Sequence, residues 1–265
     1  MRLLHIVADY GPGDLAFSEM ISALARHLPD DFRWHYTTVR SFDTVATGFV
    51  VAQLGLQKEA LRAPKTYLYV NCAPRKDRKE ARPHNEGEGL LYVRFVTGVE
   101  GIIVNSGYSL SFASEGIVEL KTLNIERGGS QFRSRDVFPP AVGHIAHKDY
   151  SICGESLVPS EVIPPPPHGV IGYIDSFGNL KTTFRDGDAL LASLSPGQRV
   201  RVLINGIERT ASVASGSFNV AEGDIAFAPG SSGHERRFWE VFQRGGSAAE
   251  TFALPRVGSE VQILL

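Results

Sequence analysis

The stretch "LLHIVADYGPGDLAFSEMISALARHL", Leu3 to Leu28, decides the fold class. Its first five residues, Leu3 to Val7, read as a buried strand, which "ADYGPGD" breaks with two glycines and a proline. Phe17, Met20, Ile21, Leu24 and Leu28 then recur at helical spacing, so the order is strand, loop, helix. The spacing of Phe42, Val45, Phe49, Val50 and Leu54 predicts a second helix that opens near Ser41 as its N-cap. Strands follow at Thr66–Val70, Leu90–Val96 and Gly101–Val104. This alternation predicts an α/β domain with a largely parallel sheet, and ligands of such sheets sit beyond the carboxyl ends of the strands. Asp9, Asn71 and Asn105 all stand at those ends.

Further along, "VPSEVIPPPPHG" changes the composition, because Pro164 to Pro167 cannot enter a helix and run as a stiff extended connector. The chain is therefore divided into an α/β domain at 1–160, a proline-rich linker at 161–168 and a β domain at 169–265. "VIGYI", "RVRVLI", "IERTASV", "DIAFA", "FWEVF" and "EVQILL" read as short strands, and Asn205 with Gly206 is a strong two-residue hairpin signal. A small β-barrel or sandwich is expected, with the barrel preferred.

With 43% apolar residues among 265, the chain can bury one large core or two smaller ones. A net charge of -2 provides no global field for nucleic acid or an anionic membrane, which favours a small uncharged or zwitterionic ligand. Two cysteines, Cys72 and Cys153, are too few for a disulfide scaffold and suit a reducing compartment, so a cytoplasmic location is expected. The opening residues read as a strand rather than a signal peptide, and no run approaches a membrane span.

Several stretches carry residue types suited to binding. Asp9 and Asp14 bracket the glycine-rich turn, where a carboxylate can accept hydrogen bonds from a diol. The plainer alternative has Asp9 shaping the turn and Asp14 capping the helix. In "GYIDSFGNLKTTF", Asp175, Phe177 and Asn179 offer an acid, an aromatic face and an amide around one glycine, although a hairpin turn needs the same residues. "GGSQFRSRDVFPP" holds Arg133, Ser134, Arg135 and Asp136, and the last two can simply pair with neighbours. His144 and His147 lack an acidic or cysteine cluster that would complete a zinc pattern, so no metal is expected. The chain has no nucleophile elbow, Walker pattern or dinucleotide-binding glycine turn. "RKDRKEARPHNEGEG" reads as a solvated loop without the interleaved aromatics of a nucleic-acid patch.

Taken in order, the pieces resemble the S-adenosylmethionine hydroxide adenosyltransferases, relatives of the fluorinase and chlorinase enzymes. "ADYGPGD" resembles their Thr-Asp-Phe-Gly-x-x-Asp, "VRSFDTVATGFVVA" their second helix, "VNCAPRKDR" their Val-Asp-Pro-Gly-Val-Gly, and "SQFRSRD" their Thr-Phe-His-Gly-Arg-Asp. "YIDSFGN" is similar to their Ile-Asp-x-Phe-Gly-Asn, and "APGSSGHERRFWEVFQRGGSAAE" to the stretches that close the adenosine site. The resemblance covers nearly the whole chain. It implies an N-terminal α/β domain, a C-terminal β-barrel, and a homotrimer with ligand sites between neighbouring subunits. The implied reaction is displacement at the ribose C5′ of S-adenosylmethionine by water or halide, releasing methionine and needing no cofactor.

By position, the resemblance implies that Asp9 holds the ribose hydroxyls, Asp175 the methionine amino group and Asn179 the adenine edge. It places Ser231 and Ser232 at the methionine carboxylate, with Arg244 and Gly246 near the adenine. In hydrolytic members an Asp, an Arg seven residues later and a His organise the water. Here those positions are Asn71, Arg78 and Arg133. Asn is no general base and Arg stays protonated, so the arrangement that makes hydroxide is absent. Halide users share a serine at Ser134, but a threonine they use corresponds to Pro74. Three readings stay open: an enzyme that cleaves S-adenosylmethionine with an altered nucleophile site, a binding protein that keeps an adenosine or S-adenosylmethionine pocket, and a trimeric scaffold whose pocket has decayed.

Overall fold

The protein is described from a computed structural model, which covers residues 1–57, 65–76, 79, 87–125, 130, 132–231 and 235–265. Two compact units, Met1–Pro166 and Pro167–Leu265, divide the chain within the proline run.

In the first unit, β1 (Arg2–Ala8), α1 (Leu15–His27), β2 (Phe32–Thr38), α2 (Thr44–Gly55) and β3 (Thr66–Asn71) precede β4 (Leu90–Phe95) and β5 (Glu100–Val104). A 3-10 segment at Ser111–Gly116 leads to β6 (Ile117–Leu123), then α3 (Arg133–Asp136), α4 (Phe138–Ala146), β7 (Cys153–Ser156) and α5 (Pro159–Val162). The sheet order is β2-β1-β3-β5-β4-β6-β7. β2, β1, β3 and β5 run parallel, whereas β4, β6 and β7 join antiparallel. The sheet is therefore mixed rather than largely parallel. The cause is local: β4 and β5 are joined by Val96–Val99, with Gly98 at φ 84 and its N–H donating to Phe95 O at 2.8 Å. A connection that short can make a hairpin but not a parallel crossover.

Helix α1 begins where Asp14 Oδ1 accepts the Ala16 N–H at 2.9 Å. Its buried face (Phe17, Met20 and Leu24) packs with Phe138, Val142 and Ile145 of α4 over Leu4, Ile6, Tyr67 and Tyr69 of the sheet. Burying each such aliphatic side chain stabilises the unit by roughly 1.5–3 kcal/mol before ordering entropy is charged against it. Helix α2 is capped by Asp43, whose Oδ1 accepts from Ala46 N at 2.8 Å, and not by Ser41. Phe42 takes a left-handed conformation, φ 64, so the chain turns there and the helix cannot start before Asp43.

The parallel register aligns the ends of two strands. Val7 and Ala8 lie opposite Val70 and Asn71, so β1 and β3 end together. Asp9 then donates its N–H to Asn71 O at 3.4 Å.

The second unit contains β8 (Ile171–Ile174), β9 (Leu180–Arg185), α6 (Ala189–Ala192), β10 (Arg199–Ile204) and β11 (Ile207–Val213). These are followed by β12 (Ile225–Pro229), β13 (Phe238–Gln243), α7 (Ala248–Thr251) and β14 (Val261–Leu264). The sheet order is β14-β10-β11-β12-β13-β9-β8. Its two edges approach through a bridge between Val170 and Glu260, giving a curled half-barrel around Ile171, Phe184, Val202, Phe227, Val241 and Phe252. Asn205 and Gly206 both have positive φ, 54 and 75, as the tight turn between β10 and β11 requires.

Candidate functional site

The carboxyl end of β3 carries a cluster of hydrogen-bonded polar side chains. Asn71 is only 6% exposed. Its Nδ2 donates to Tyr10 Oη at 3.1 Å and to Ser134 Oγ. Tyr69, two residues earlier on the same face of β3, donates from its hydroxyl to Ser134 O at 3.1 Å and meets Tyr10 Oη at 3.3 Å. The structure thus brings Asn71 and Ser134 together with two tyrosines absent from the sequence-based candidates. Burial raises the pKa of Tyr10 and raises that of Tyr69 well above the ordinary phenol value. A neutral amide, a serine and two phenols cannot take a proton from water near neutral pH.

Arg133, the chain neighbour of Ser134, directs Nη1 to Glu88 O at 2.8 Å. Gly87 makes room for it, since a Cβ there would lie 2.5 Å from that nitrogen. Glu88 is itself buried, 6% exposed, and its Oε1 accepts the Arg75 N–H at 2.5 Å. That contact anchors a turn in which Arg75 has φ 60. Arg78 lies outside the described residues.

Asp9, half-buried at the end of β1, accepts the Phe42 N–H on Oδ2 at 2.9 Å. Its carboxylate therefore shapes the turn before α2, and its charge also faces the Cys72 thiol, which burial pushes up to about 12. Arg135 pairs with Glu19 and Asp136, both at 2.7 Å, and Asp136 takes the Ser130 N–H at 3.1 Å.

In the second unit, Asp175 Oδ1 accepts the N–H groups of Phe177 and Asn179, both at 3.0 Å. Oδ2 accepts Asn179 Nδ2 at 3.0 Å and faces Lys181 Nζ at 3.3 Å. A carboxylate has about four lone-pair positions, and this turn occupies them all. Phe177 is left 76% exposed with its ring available for stacking. Arg244 donates to Val220 O at 2.7 Å and lies 5.3 Å from the centroid of Phe218, itself 86% exposed. Ser231 is exposed, Gly246 donates its N–H to Gln243 O at 3.2 Å, and Ser232 lies outside the described residues.

His144 Nδ1 lies 2.7 Å from Asp149 Oδ2, and His147 Nδ1 lies 2.8 Å from Gly143 O. Among the described residues no three His, Cys, Asp or Glu side chains come together as a group able to hold a metal. Among the same residues no helix is long and apolar enough to cross a membrane.

One pairing signal was visible in the sequence: Tyr69 and Asn71 are two apart on a strand and so share a face. Nothing local marks Glu88, because its burial depends on the return of the chain to β4.

No protein-family model matches the chain, and no curated protein matches it. Among solved structures it is similar to an uncharacterized conserved protein from Thermotoga maritima, with TM-score 0.75 and 20% identity over 99% of this chain and 100% of that one. It is also similar to a conserved hypothetical protein from Thermus thermophilus, with TM-score 0.67 and 19% identity over 100% of both chains. At such identities the likeness is one of fold.

Proposed function

We propose that this protein binds S-adenosylmethionine, or its adenosine part, and cleaves S-adenosylmethionine at ribose C5′ to adenosine and methionine through an altered nucleophile site. The observation that carries the reading is the shared end of β1 and β3, where buried polar Asn71 lies opposite Ala8 and accepts the Asp9 N–H on its carbonyl, at the edge expected to receive a ligand. The resemblance of "ADYGPGD", "VNCAPRKDR" and "YIDSFGN" to the S-adenosylmethionine hydroxide adenosyltransferases supplies the ligand class. In this reading Asp9 meets the ribose hydroxyls. The sulfonium departs as a neutral thioether, so the protein has mainly to position and desolvate the nucleophile. The assembly proposed is a homotrimer.

Binding without turnover is a second reading, and one observation favours it: both amide hydrogens of Asn71 are spent on hydroxyl oxygens, in a cluster with no base. Incubation with S-adenosylmethionine, followed by chromatographic detection of adenosine and methionine, separates the two. Release of both products supports cleavage, whereas saturable binding with intact ligand supports the second reading.

A further inference from the structure

Tyr67 stands near the start of β3, at the opposite end of that strand from Asn71, and is 1% exposed. Unlike the hydroxyls of Tyr10 and Tyr69, its hydroxyl is buried without a hydrogen-bond partner, which is costly. Burial raises the Tyr67 pKa against the opposing pull of Lys65, so the hydroxyl stays protonated and able to donate.

Glu100, the register partner of Tyr67 on β5, is also buried. Its Oε1 accepts the Tyr150 hydroxyl at 2.9 Å, and its Oε2 lies 3.1 Å from both Lys65 Nζ and Lys148 Nζ. The same two ammonium groups stand 5.2 and 5.3 Å from the centroid of the Tyr67 ring. Two cations therefore share one carboxylate beside an unpaired hydroxyl. The neighbouring acids offer no compensation, since Asp31 is taken by Arg2, and Glu119 by both Arg94 and Lys121. A water molecule would give the hydroxyl an acceptor and leave the surplus charge, whereas an anion answers both.

We infer that this end of the sheet binds a phosphate group, held by Lys65, Lys148 and the Tyr67 hydroxyl. Lysine meets phosphate as a point charge, and the several oxygens of the ligand let it accept from all three donors. The two lysine side chains are 36% and 45% exposed on flexible stems, so the ligand enters between them, with the hydroxyl as the floor. The site is separate from the cluster around Asn71 and does not depend on the S-adenosylmethionine reading.

Calorimetry and thermal unfolding with inorganic phosphate, at constant ionic strength set by chloride, test it. The wild type should bind saturably and unfold at a higher temperature as phosphate rises. Lys65→Gln, Lys148→Gln and Tyr67→Phe should each weaken binding by about 10-fold or more. Tyr67→Phe is the discriminating variant, because without phosphate it should be at least as stable as the wild type, having lost only an unpaired group. Tighter binding of glycerol phosphate than of inorganic phosphate would support the site as one for a phosphate ester, and the reverse order would support it as one for the free ion. No saturable phosphate binding by the folded wild type, or equal affinity in wild type and Tyr67→Phe, would overturn the site and leave the lysines as partners of Glu100 alone.

Discussion

Asn71 gives an amide hydrogen to the side chain of Ser134, a residue 63 positions later in the chain. That contact ties the short helix α3 to the end of β3 and fixes the polarity of the cluster: an amide donates where a carboxylate would accept. The hydroxyls of Tyr10 and Ser134 can rotate, so the same frame can receive either group.

The first prediction uses that tolerance. The pair Asn71→Asp with Arg133→His should fold and should release methionine from S-adenosylmethionine faster than the natural protein. The second change is needed because an aspartate near a guanidinium forms an ion pair that lowers its pKa and occupies its oxygens. A new general base contributes on the order of 10²-fold or more, well within reach of a rate assay. A double variant that binds ligand normally and turns over no faster would show that position 71 is not beside the attacking group, and would turn attention to the turn at Pro74.

A second prediction concerns pH and stability. His5 on β1 packs edge-to-face on His35, its register partner on β2, with ring centroids 5.4 Å apart. Burial first, and His35 second, lower its pKa from 6.5 to about 4. The unfolded chain thus takes up the proton before the folded one, so the stability contribution is complete above about 6.5 and is lost as the pH falls toward about 4. Because the ring keeps some contact with water, the screened effect is about 1–2 kcal/mol. Denaturant unfolding of His5→Gln should show a flatter pH dependence across that window, and curves parallel to wild type would contradict the assignment.

The turn of the second unit yields a third prediction. Gly178 has φ 78, and a Cβ there would fall 2.1 Å from Ser247 Oγ. Gly178→Ala should therefore destabilise the fold by at least about 1 kcal/mol, through backbone strain and displacement of Ser247. Thermal unfolding measures the loss. A variant as stable as wild type would mean that the Asp175–Asn179 turn is not held as described.

Assembly gives a fourth. Light scattering at micromolar concentration should report three times the chain mass of 28.9 kDa. Leu15 and Phe42, both exposed near the Asp9 turn, are apolar surface that association would cover. A monomeric mass would count against the resemblance from which the trimer comes.

The legible parts of the fold were those with local causes. α1 followed from its apolar period, and the β10–β11 turn from Asn205 and Gly206. β2 passed unread although Phe32, Trp34 and Tyr36 alternate with Arg33, His35 and Thr37, because an edge strand with four of its seven residues exposed carries no run of aliphatic residues to mark it. The reversal to antiparallel pairing was written in the four residues Val96–Val99, but its consequence for sheet direction appears only once β4 and β5 are seen to pair. In the site, Asn71 and Ser134 could be named from motif order, whereas their contact spans the unit. Glu88 carried no motif, and only its burial distinguishes it from the other charges of "RKDRKEARPHNEGEG".

The central claim is that the chain holds S-adenosylmethionine or adenosine with Asp9 at the ribose, and isothermal titration of the wild type and Asp9→Asn tests it most directly. Asparagine can still accept the Phe42 N–H, so the turn survives while the charge-assisted bond to a diol, worth roughly 1.5–3 kcal/mol, is lost. Saturable binding near one ligand per chain is expected for the wild type, weakened by about 10-fold or more in Asp9→Asn. No binding by the folded wild type at millimolar adenosine and S-adenosylmethionine, or equal affinity in the two proteins, would contradict it.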